Sequence, residues 1–185
     1  MKATGIVRRI DELGRVVIPK EIRRTMRIRE GDPLEIFTDR DGEVILKKYS
    51  PIGELSNFAK EYTDALSQVL GHTACICDKD SVVAASGAGR KELLDKPIHT
   101  DIEQIIESRK KLMVNRGDSA QFANITVHAN DADEYSAQVI VPIIVQGDAI
   151  GAIMLISREA QTHMGETELK VAETAAGFLS RQMLF

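Results

Sequence analysis

The 185-residue chain is 43% hydrophobic and 28% charged, with a formal net charge of −4, an ordinary balance for a globular protein. No apolar run reaches the ~18–20 residues a membrane helix needs, and the N-terminus lacks the apolar stretch of a signal peptide, so neither a membrane partner nor secretion is expected. The only cysteines, Cys75 and Cys77, offer no disulfide framework, which points to a reducing, cytoplasmic setting.

The charge is unevenly placed. Residues 1–29 hold nine Lys/Arg (Lys2, Arg8, Arg9, Arg15, Lys20, Arg23, Arg24, Arg27 and Arg29) against three acids, a net of +6. Residues 1–52 carry +3 and residues 53–185 carry −7. A basic head on an acidic body points to nucleic-acid binding by one part of the chain.

In chain order, "GIVRRI" reads as a strand, "DELG" as a turn and "RVVIP" as a β-branched strand ended by Pro19. Pro19 then opens a short helix, "PKEIRRTMRI", with Glu21 near its positive end and Ile22 and Met26 on one face. "LEIFTD" and "EVILKKY" read as a hairpin around Asp41-Gly42. About fifty residues with one short helix make a poor core, and a module this small needs disulfides, metal or oligomerisation. With no Cys or His in residues 1–50, dimerisation is the expected solution.

From Ser50 or Pro51 to Gly71 the pattern is helical, and Ile52, Leu55, Phe58/Ala59, Tyr62, Leu66 and Val69 form a stripe at three- and four-residue steps. Downstream, "HTACICD" and "SVVAASG" read as a hairpin joined at Asp78-Lys79-Asp80. "DIEQIIESRKK" reads as a helix capped by Thr100 or Asp101. A strand is expected within "SAQFANITVH", and two more in "YSAQVIVPIIVQGDAIGAIMLISR" around Gly147-Asp148. A C-terminal helix from Gly165 carries Leu169, Ala172, Ala176, Leu179 and Met183 as a second near-heptad stripe.

Arginine suits DNA because it stays charged and makes bidentate contacts to phosphate and to guanine edges. "GIVRRIDELGRVVIPKEIRRTMRIREGDPLEIFTDRDGEVILKKY" closely resembles the DNA-binding segment of AbrB-type transition-state regulators, over Met1 to Pro51. The resemblance implies a swapped-hairpin β-barrel made by two interlaced chains. It also implies DNA-contacting roles for Arg8, Arg15, Arg23 and Arg24, with Arg9 beside them. In the body, "ICDKDSVVAASG", "LLDKPI" and "IVPIIVQGDAIGAIMLIS" resemble GAF domains, a small-molecule-sensing fold. The whole is thus expected to be α+β: residues 1–51 the swapped-hairpin head, 52–71 a connecting helix and 72–185 a GAF-like domain. Members of the family with such a body imply a homotetramer, its bodies paired through their first and last helices. They imply a nucleoid-associated cytoplasmic activator and repressor of late forespore genes, with an unidentified small molecule as a further partner beside double-stranded DNA.

Other features carry less. Cys75 and Cys77 are expected on opposite faces of their strand, one buried and one exposed or against a helix. The four histidines, His72, His99, His128 and His163, form no metal-ligating set. Ser86, Gly87 and Arg90, just after a strand, are candidates for a ligand-lining loop, although a plain turn fits the same residues. No phosphate-binding loop, nucleophile elbow or dinucleotide fingerprint is present, so no catalytic residue, metal or cofactor is expected. Two alternatives are an antitoxin-like module, which would follow its head with an extended tail, and a cysteine-dependent GAF-fold redox enzyme.

Overall fold

The structure is a computed structural model and describes residues 5–127 and 132–183. Lys2 and His128 fall outside that range. The chain divides into two compact units, Met1–Tyr49 and Ser50–Phe185.

In the first unit, Gly5–Ile10 and Arg15–Pro19 take up no strand pairing within the chain, where the sequence predicts two strands. They flank a closed turn, in which Asp11 N–H donates to Arg15 O at 3.0 Å and Gly14 N–H to Asp11 O at 3.0 Å. Gly14 sits at φ +75°, a left-handed turn position that favours glycine. Helix α1 (Lys20–Thr25) follows Pro19, and Met26 N–H donating to Ile22 O continues its bonding for one more residue. Strands β1 (Leu34–Thr38) and β2 (Val44–Lys48) pair antiparallel, with Leu34 opposite Lys48 and Thr38 opposite Val44. Asp39 closes the connection by accepting the Asp41 and Glu43 N–H groups on Oδ1, and Gly42 sits at φ +82°. Among the described residues, none of the buried hydrophobic side chains that form the core belongs to this unit, whereas Val7 is 85% and Val17 70% exposed.

The second unit opens with two short-range devices. Ser50 caps α2 (Pro51–Glu54), its Oγ accepting Gly53 N–H at 3.0 Å and donating to Asp78 Oδ2 at 2.8 Å. The single helix expected over 50–71 breaks at Leu55, and α3 (Ser56–Leu70) completes it, ended by Gly71 at φ +72°. Then come β3 (Thr73–Asp78), β4 (Val82–Ser86), α4 (Arg90–Leu93), α5 (Thr100–Ser108), β5 (Leu112–Asn115), β6 (Ala137–Val145), β7 (Asp148–Ser157) and α6 (Glu166–Gln182). Helix α5 is capped by His99, whose Nδ1 accepts Asp101 N–H at 3.2 Å, one residue earlier than expected. "SAQFANITVH" holds no strand among its described residues, only an isolated bridge from Thr126 to Ile98. The fifth strand instead comes from "LMVN", which supplies β5.

The five strands form one antiparallel sheet in the order β4-β3-β7-β6-β5. Strand β5 pairs with β6 only from Ala137 to Ile140, so Pro142 further along breaks no bond to it. Residues two apart on a strand share a face, and each face has its own core. Ala74, Ile76, Val139, Val141, Ile153 and Leu155 meet Ala59 and Leu66 of α3 and Ala172, Ala176 and Leu179 of α6. On the other face Cys75, Cys77, Ile140 and Met154 meet Ile98, Ile102 and Ile106. The cysteines therefore lie on one face, not two, and both are buried. Fully burying an Ile, Leu or Met contributes about 1.5–3 kcal/mol each, so the two cores hold this unit together. Gly151 lets β7 pass β3 closely, since a Cβ there would stand 2.0 Å from Cys77 O.

Candidate nucleic-acid interface

All five sequence-predicted DNA contacts, Arg8, Arg9, Arg15, Arg23 and Arg24, are exposed. They arise from two local structures. The Asp11–Gly14 turn carries Arg15 on its far side, and Arg8 and Arg9 approach it. Helix α1 carries Arg23 and Arg24 in its last turn, where their positive charge opposes the helix's negative end. Arg15 alone of the five is paired: its Nε donates to Asp11 Oδ2 at 2.8 Å. Asp11 Oδ1 also accepts the N–H groups of Arg15, at 2.8 Å, and Leu13, at 3.0 Å. These bonds from Arg15, first from its backbone and then from its side chain, hold the Asp11 carboxyl below the usual carboxylate range. Sequence reasoning missed Asp11, although an Asp opening an Asp-x-x-Gly turn is the residue type that bonds its own backbone. Arg27 and Lys48 add positive charge nearby: Lys48 Nζ donates to Arg27 O at 2.8 Å and lies 3.4 Å from Asp32.

The loop candidates in the second unit are placed differently. Ser86 is buried and turned to α3, bonding Asp64 and, at 3.2 Å, Thr63 Oγ1. Gly87 lies so close to α3 and β3 that a Cβ would stand 2.8 Å from Ser67 Oγ and 2.9 Å from Thr73 Cα. Arg90 is exposed on α4. None of the three lines the neighbouring cavity of about 240 Å³, whose walls include His72, Thr73, Gly89, Tyr135 and Arg158. Arg158 lies over the Tyr135 ring at 5.4 Å and pairs with Glu92 at 2.8 Å and Glu134 at 3.4 Å.

Burial pushes the Cys75 thiol up to about 12 and raises Cys77 as well, with the nearby Asp78 charge adding to it. Neutral, enclosed thiols are poor nucleophiles, which counts against redox chemistry here. Among the described residues no His, Cys, Asp and Glu cluster could hold a metal ion, and no helix is long and apolar enough to cross a membrane.

A family model described as the C-terminal region of stage V sporulation protein T, a transcription factor, matches residues 54–184. Stage V sporulation protein T of Bacillus subtilis is 56% identical over 183 residues, 99% of each chain. The chain belongs to the stage V sporulation protein T family.

Within this family of transcription factors the two units have separate relatives. The transition state regulatory protein AbrB of Bacillus subtilis is 67% identical over 51 residues, 28% of this chain and 52% of AbrB. A model described as antidote–toxin recognition MazE, bacterial antitoxin, matches residues 7–54. The folded Ser50–Phe185 unit, where an antitoxin would carry an extended tail, fits the sporulation family instead. For the body, the PixJ GAF domain of Thermosynechococcus elongatus superposes with a TM-score of 0.55 at 16% identity, over 74% of this chain and 91% of that one. Like other stage V sporulation protein T members, the chain thus joins an AbrB-like DNA-recognition head to a GAF-like body.

Proposed function

We propose that two heads interlace into a swapped-hairpin barrel and present Arg8, Arg9, Arg15, Arg23 and Arg24 of each chain to double-stranded DNA. The supporting observation is the first unit's surface: thirteen large apolar side chains exposed beside a set of exposed arginines. A second copy would cover the apolar set and double the arginines across a twofold axis. Bodies pair through α3 and α6 into a tetramer, where Phe58, Tyr62 and Phe178 stack at 5.7–5.8 Å and Phe178 stays 41% exposed. The protein then acts in the cytoplasm, on the nucleoid of the forespore, as a non-catalytic activator and repressor. A small molecule entering the cavity beside Gly89 would bias the body.

Fluorescence anisotropy at fixed salt tests the core of this reading. Arg23→Ala or Arg24→Ala is expected to weaken DNA binding about tenfold and to lower the salt slope by about two, one for each chain of the dimer, with the dimer intact. Unchanged affinity in both variants would remove these arginines from the interface.

A further inference from the structure

The five arginines are not equivalent. Among the described residues, Arg8, Arg9, Arg23 and Arg24 meet no side-chain partner, and all four are exposed. Arg15 is held. Its Nε is bound to Asp11 Oδ2 at 2.8 Å, and that carboxylate is in turn pinned by two backbone N–H groups of the same turn. The turn is itself closed by two backbone bonds. The arginine still projects outward, with its side chain 70% exposed against 39% for Asp11.

Two physical consequences follow for DNA. A guanidinium has five N–H donors in a rigid fork. With Nε engaged, the Nη1 and Nη2 groups remain as an outward-facing pair of donors. That edge matches the O6 and N7 acceptors of guanine in the major groove. Much of the ordering cost of a long side chain is also already met in the free protein. The second consequence is electrostatic. The guanidinium keeps its charge, but the carboxylate bonded to it brings the net charge of the pair toward zero and so weakens its pull on a phosphate. Hydrogen bonds to a neutral base edge suffer far less. Pairing with Asp11 thus moves Arg15 away from phosphate clamping and toward base reading, while the four unpaired arginines keep their full charge.

We infer that Arg15 reads a guanine edge in the major groove and that Asp11 is the positioning residue that sets its fork. The inference rests on the DNA-binding reading above and assigns one of its arginines to specificity rather than affinity.

The test uses the full-length protein and a duplex selected by the wild type from a randomised 24-base-pair library. Each guanine of that duplex is replaced in turn by 7-deazaguanine, which lacks the N7 acceptor. At one or more positions the wild type should lose about tenfold in affinity. Arg15→Leu removes every donor at this position, so the penalty there should vanish, whereas Arg24→Ala should retain it. Asp11→Asn keeps an oxygen for the Leu13 and Arg15 N–H groups and removes the anion. It should bind a scrambled duplex of equal composition more tightly and the selected one less tightly, cutting their affinity ratio about tenfold. A role confined to holding the turn would move both duplexes together. The inference is overturned if no 7-deaza position matters, if the penalty survives in Arg15→Leu, or if Asp11→Asn leaves the ratio unchanged. Failure of the wild type to bind any duplex in a salt-dependent way would overturn the DNA-binding reading as well.

Discussion

The two units bury their apolar residues in opposite ways. In Ser50–Phe185 the side chains of Ile76, Ile153 and Leu155 vanish between the sheet and two helices. In Met1–Tyr49 equally apolar residues, Val7, Ile10, Val17, Ile36 and Val44, stand on the surface. Composition does not separate the units, because both are rich in Ile, Leu and Val. The difference is length and layering: a sheet flanked by helices encloses a core, and a two-stranded hairpin with a six-residue helix encloses almost nothing.

The largest way to break this contrast is at Gly151. Gly151→Ala sets a methyl group 2.0 Å from Cys77 O and 2.5 Å from Ile52 Cδ1, so β7 and β3 must part. A loss of at least about 3 kcal/mol is expected in thermal or urea unfolding. A melting temperature within a degree of wild type would show that the sheet has slack there. Next comes Val17→Glu, which leaves the self-contained unit untouched and places a charge on the exposed apolar set. Analytical ultracentrifugation should show self-association through the head weakened by about ten- to a hundredfold. An unchanged mass distribution would mean that this surface meets no second copy.

Smaller effects sharpen the same comparison. Cys75 and Cys77 should resist iodoacetamide at pH 8 in the native protein and react fully in denaturant, as followed by mass spectrometry. Since burial raises the folded pKa of Cys75 to about 12, the folded state keeps its proton where the unfolded chain has lost it. The stability it contributes is full below the unfolded thiol's value near 9 and declines as pH rises from there toward 12. Rapid alkylation at pH 8 without unfolding would show the second unit to be looser than its packing implies. Smallest of all is Asp11. Its lowered pKa means that its contribution holds above the ordinary 3.8 and is lost only as pH falls through a lower value. Carbon-detected NMR titration should therefore give a midpoint below 3.8; a midpoint at or above it would mean the Arg15 pairing does not persist in solution.

Much of this was legible in the sequence where local signals sufficed. The apolar run in "HTACICD" and the β-branched run "AQVIVPIIV" produce β3 and β6, and Gly71 and Pro51 bound the α2–α3 segment. Where a residue's role depends on distant contacts, the sequence misled. "GIVRRI" and "RVVIP" have strand-forming residues, yet a strand needs a neighbour to bond, and among the described residues this unit supplies none. "LMVN" was too short to show alternation, but β6 recruits it as an edge. The helical stripes around Leu66 and Leu179 resemble a coiled-coil seam, although most of each is spent on the sheet. Ser86 looks like a loop ligand until Asp64, twenty-two residues away, is seen to hold it. The arginines were visible from charge alone; the bond that separates Arg15 from the others was not.

The two hydrogen bonds made by the Ser50 hydroxyl have a practical consequence. Its hydroxyl both caps α2 and reaches Asp78 in the β3–β4 connection, so the second unit is fastened at its very first residue. That makes the Tyr49–Ser50 junction a grafting point for protein engineering. A chimaera that exchanges everything before it for another DNA-binding module would keep the body's first tether, and with it a folded GAF-like body joined to a different recognition head.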